Sequence, residues 1–243
     1  MTEAGTLVTL SQARRGQNLG GVGRDRPKSC WPDGSLQVQA ARGGQGSEAP
    51  GEGHSQVPPI IFVMGGPGCG KGTQCKNMVT KYGFCHVGLG QLLRQEAQRS
   101  TQRGWQICDI MLQGLLMPAG IILDMVSDNM LSCLESRGFL IDGFPWELKQ
   151  AMEFEHIVGR APSVVTVFDC SMETMLRVLH QGQGEHRADD SELAIHQSLD
   201  THYTVCEPVL TFYQQNNLLR NILAEEAPEN IFAKCCSVIE SLQ

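Results

Sequence analysis

IIFVMGGPGCGKGT, residues 60–73, is the stretch on which the fold turns. The five apolar residues Ile60 to Met64 have the length and content of a strand buried on both faces. They stop at Gly65-Gly66-Pro67-Gly68-Cys69-Gly70-Lys71-Gly72-Thr73, which fits GxxxxGK with the hydroxyl residue one place later than usual. A helical pattern continues from Lys71 to Tyr82. Strand, glycine loop and helix in that order form the setting of a phosphate-binding loop. The glycines let backbone N–H groups curl around phosphate oxygens, and the helix offers its positive end to the same anion. Lys71 adds a point charge that can follow a phosphoryl group in transfer.

Outward from this loop, short apolar runs recur at 139–141, 164–168 and 218–223. Between them lie stretches with helical spacing at 91–100, 105–113, 119–136, 147–158, 172–181, 191–214 and 228–242. Brief buried strands alternating with amphipathic helices predict βαβ units and a parallel sheet covered on both faces. Pro208, inside the pattern at 191–214, is expected to kink or break that helix. Residues 1–57 read differently. They hold 11 of the 27 glycines and contain no Ile, Phe or Tyr, so little there can build a core and a disordered tail is expected. The domain is expected over 58–243.

The formal charge of −7 argues against a general nucleic-acid binder, which needs a basic face. No apolar run approaches the roughly 20 residues of a membrane helix, and the first residues lack the pattern of a secretory signal. A cytoplasmic protein is expected. Its ten cysteines show no paired spacing for zinc and read as reduced thiols.

GGPGCGKGTQ at 65–74, GFLIDGFP at 138–145 and RADD at 187–190 resemble the adenylate kinases of the nucleoside-monophosphate kinase family, in their short-lid cytosolic form. The resemblance runs from about Pro59 to the last residue, Gln243. It implies a P-loop NTPase-like three-layer α/β fold on a five-stranded parallel sheet. It also implies a helical region for the acceptor nucleotide at about 88–117 and a short lid at about 181–190. The family transfers the terminal phosphoryl of MgATP to AMP, so ATP, AMP, ADP and Mg2+ are the implied ligands, and a monomer the implied state.

By the same resemblance, Gly66, Gly68, Cys69, Gly70, Lys71, Gly72 and Thr73 stand at the ATP contacts. Asp142 stands where a carboxylate holds magnesium through water. Arg94 matches an arginine on the AMP phosphate, and Arg187 a lid arginine that meets the phosphoryl in transfer. Leu89, Gly90, Gly114, Leu116, Met117, Gly143 and Gln150 match the AMP site, with Gln150 reading the base. Several positions depart from the family. Leu89 replaces a hydroxyl residue. Trp146 and Ser198 stand where the family has arginines, and a further lid arginine falls on Gln181 or Gly182. The family's adenine-stacking arginine falls on Arg177 or Val178, and Glu226 replaces a glycine. Lost cations bear on the chemistry itself, because phosphoryl transfer rests mostly on positioning and charge stabilisation. Two readings follow: a weakened kinase, or a nucleotide-binding pseudoenzyme that acts as scaffold or regulator.

Overall fold

The structure is a computed structural model that describes residues 57–180 and 192–242. The tail, the lid at 181–190 and Arg187 lie outside the described residues. The chain runs β1 (Ile60–Gly65), α1 (Lys71–Tyr82), β2 (Cys85–Gly88), α2 (Leu89–Ala97), α3 (Gln102–Leu112), α4 (Ala119–Leu131) and β3 (Phe139–Asp142). It continues with α5 (Leu148–Val158), β4 (Val164–Asp169), α6 (Met172–His180), α7 (Glu192–Gln215), β5 (Leu219–Leu223) and α8 (Pro228–Glu240).

The five strands pair in parallel in the order β2-β3-β1-β4-β5. The expected P-loop-type α/β architecture is therefore present. Alternation along β1 builds the layers. Ile60, Phe62 and Met64 belong to one buried cluster, and Ile61 and Val63 to a second, as the two-residue period of a strand requires. On the first face Phe62 meets Phe144, Phe154 and Tyr213 edge-on, with ring centres 5.2, 5.1 and 6.0 Å away. Those rings come from the turn after β3, from α5 and from α7. One β1 side chain thus ties four parts of the chain together.

The structure adds an element and corrects two expectations. Strand β2 had no place in the sequence reading, because a four-residue run containing His86 and ending in glycine offers only Cys85 and Val87 to the interior. Helix α7 spans 24 residues without a break at Pro208. Leu199, Cys206, Val209 and Tyr213 are all buried, so packing on both sides of the proline holds the helix together. The cysteines are not all free thiols. Cys85 at the start of β2 and Cys133 just after α4 form a disulfide, with Cα atoms 6.3 Å apart. They lie 48 residues apart in sequence, and only the fold brings them together.

Candidate active site

Beta strand β1 has β3 on one side and β4 on the other, so the chain crosses to opposite faces at its carboxyl end. Ligands of open parallel sheets bind in the crevice at such a switch point. The glycine loop lies there. Gly65, Gly68 and Gly70 have φ of 144°, 81° and 82°, values that L side chains rarely adopt. Space is also short. A Cβ on Gly66 would overlap the Met175 sulfur, and one on Gly68 would lie 2.9 Å from the Met175 carbonyl oxygen. Helix α6 thus packs against the loop from outside. This contact was not legible beforehand.

Lys71 opens α1 and folds back over the loop. Its Nζ donates to the carbonyl oxygens of Gly65 and Gly66, each at 2.7 Å, and lies 3.5 Å from the Cys69 sulfur. Burial works against its charge, but Cys69 and Asp142 outweigh that and raise its pKa. The lysine is a fixed cation. Asp142 ends β3, level with Val63 of β1 and Gly88 of β2. Its Oδ2 is 3.3 Å from His86 Nε2, and a Cβ on Gly72 would meet that oxygen at 3.8 Å. The carboxylate therefore stands beside the first turn of α1, facing the loop. Next to it, Gly143 turns the chain at φ 79° and donates its N–H to the Val63 carbonyl at 2.9 Å.

Beyond that turn, Gln150 of α5 is fully buried. Its Oε1 accepts from the Trp146 backbone N–H at 2.9 Å, while its Nε2 has no partner. Polar atoms buried without a partner are rare in folded proteins.

The adenylate kinase family model matches residues 63–218. The chain belongs to the adenylate kinase family. It is 42% identical to pig adenylate kinase isoenzyme 1 over 186 residues, 76% of this chain and 95% of that one. Chicken isoenzyme 1 is 43% identical over 185 residues, covering 75% of this chain and 95% of the relative. Mouse isoenzyme 5 is 42% identical over 185 residues, 75% of this chain but 33% of that longer protein. By family the protein is a phosphotransferase of the adenylate kinase type. Among the described residues, no helix is long and apolar enough to cross a membrane.

Measured against the adenylate kinase pattern, the structure gathers Lys71, Asp142 and the loop glycines at one sheet edge. Arg94 lies on α2, where a Cβ on Gly90 would come within 3.3 Å of its Nη1. Gly114 and Leu116 are half-buried in the turn between α3 and α4, and Met117 is buried in the core. Leu89, the first residue of α2, is fully buried in the core. Ser198 falls within α7. Trp146 packs part of its ring on the core beneath β1. His86 was missed, because the strand that carries it was missed.

Proposed function

We propose that the protein is a nucleoside-monophosphate kinase that moves the terminal phosphoryl of MgATP to AMP. The observation that carries this reading is Gln150. A buried amide with an unpartnered donor costs about 1–3 kcal/mol, and an adenine ring offers the acceptor that would satisfy it. The same residue stands where the family reads the AMP base.

The roles follow from position. Backbone N–H groups from Gly66, Gly68, Cys69, Gly70, Gly72 and Thr73 hold the ATP phosphates at the start of α1. Lys71 leaves its loop carbonyls for the phosphoryl in transfer. Asp142 fits a hard cation: it is a carboxylate at a strand end, beside the phosphate loop, with oxygen available to a metal-bound water. A magnesium ion held by Asp142 through water would supply charge cancellation between the phosphates. Arg94 grips the AMP phosphate, and Arg187 meets the moving group from the lid at about 181–190. Leu89, Gly90, Leu116, Met117, Gly143 and Gln150 shape the acceptor site within and beyond the region at about 88–117. We further infer a cytoplasmic monomer, as the family resemblance implies.

A second reading has its own support. Trp146 lies where the family has an arginine, and its ring packs on the core. No cation is available at that position, which favours a protein that binds nucleotide as a scaffold or regulator and turns it over weakly or not at all. Gln150→Leu tests the acceptor role on which the kinase reading rests. It keeps the volume and removes both polar atoms. For a kinase, KM for AMP should rise about tenfold or more while KM for MgATP stays unchanged. Equal effects on both substrates, or none, would contradict the acceptor role.

A further inference from the structure

Three donors of unlike chemistry meet beneath the phosphate loop. Cys75 comes from α1, His86 from β2 and Asp142 from the end of β3. One ligand atom of each lies within 4.8 Å of the others. His86 Nε2 and Asp142 Oδ2 are already 3.3 Å apart. A tetrahedral zinc ion with bonds of about 2.0 Å to nitrogen or oxygen and about 2.3 Å to sulfur places its donors about 3.3–3.6 Å apart. The widest gap therefore has to close by at most about 1.5 Å, which side-chain rotation can supply.

We propose that Cys75, His86 and Asp142 form a binding site for a thiophilic divalent cation, zinc in the first instance, with a fourth position left to water. The donor set carries the choice of ion. Magnesium takes oxygen and resists sulfur and imidazole, whereas a thiolate–imidazole–carboxylate triad suits zinc. Burial is graded in the sense a site needs. The Cys75 thiol forms a closed floor, fully buried and unpaired in any disulfide. His86 and Asp142 form the rim, with side chains 18% and 14% exposed. On binding, the Cys75 S–H bond breaks, the sulfur bonds the metal and the proton leaves to solvent. Thiolate and carboxylate together cancel the two positive charges of the ion, so the nearby Lys71 ammonium meets a neutral centre. Burial and Asp142 push the free Cys75 thiol well above the usual range, while Lys71 draws it down.

The consequence for activity rests on the kinase reading above. An ion in this triad occupies the carboxylate proposed to anchor magnesium, so the two cannot share the site. Zinc would act as an inhibitor at concentrations far below those of magnesium, reversed by a chelator.

The direct test needs no turnover. Cobalt(II) is added to the full-length protein in the presence of excess Mg2+, and the near-ultraviolet thiolate-to-cobalt absorption is followed. Zinc is then titrated in, with a chromogenic chelator competing for it. One equivalent of cobalt should give the band, and zinc should abolish it. Cys75→Ser should lose the band, and His86→Gln should weaken zinc binding at least about tenfold. Circular dichroism checks that both variants fold. Because His86 is partly exposed, His86→Gln keeps the test decisive if Cys75→Ser fails to fold. No band at one equivalent, or a band that survives in Cys75→Ser, would overturn the site. Zinc binding by a protein without transferase activity would contradict the kinase reading and leave the site standing.

Discussion

Lys71, Asp142 and Gln150 differ in how far the sequence alone revealed them. Lys71 was legible because its loop chemistry is local: glycines, a lysine and a helix start are adjacent in the chain. Asp142 could be read as an acid after a buried strand, but its role came from family resemblance. Gln150's unpartnered Nε2 could not be foreseen, since it depends on Trp146 taking the other end of the same amide. His86 and Cys75 were invisible as a pair because their meeting requires β2. Leu89 aligns with a hydroxyl residue of the family, and only the fold shows that the start of α2 packs it in the core. The missing cations carry the sharpest prediction at this scale. About six negative charges meet when two nucleotides bind, and an arginine facing the transfer can contribute roughly 10³–10⁵ in rate. Trp146→Arg combined with Ser198→Arg should therefore raise turnover by at least about tenfold, measured as ADP formation from MgATP and AMP. No gain would mean that these two positions do not limit transfer.

Among the elements, β1 does most to hold the site in place. The strand was legible because five apolar residues end abruptly in glycines, and β3, β4 and β5 were legible by the same kind of run. Strand β2 was not, because an edge strand of four residues needs little apolar content. Helix α7 resisted the proline expectation because tertiary packing outweighs a local penalty of about 3 kcal/mol. Phe62 offers the test of β1's role. Its ring is fully buried and touches aromatic rings from the turn after β3, from α5 and from α7. Phe62→Ala should destabilise the fold by about 3–5 kcal/mol, read as a lower midpoint in urea unfolding. A cost below about 1 kcal/mol would mean that Phe62 does not tie these elements together.

At the scale of the whole molecule, stability should depend on pH. His202 of α7 is pressed down to about 4 by burial and by Lys71. The ordinary value is about 6.5, so between these limits the unfolded chain binds more protons than the folded one. The contribution of this histidine is therefore complete above about pH 6.5 and lost as pH falls towards 4, on the order of 3 kcal/mol in all. His202→Gln should flatten the fall in Tm over that range, and an unchanged slope would contradict the burial argument. The central claim concerns what the assembled site does. Its most direct test is phosphoryl transfer from MgATP to a panel of nucleoside monophosphates, with purified Lys71→Ala run beside the unaltered protein. The account predicts transfer to AMP in preference to the other acceptors, reduced by at least about 10²–10³-fold in the variant. Transfer no faster than in folded Lys71→Ala would contradict it and leave a protein that binds nucleotides without converting them.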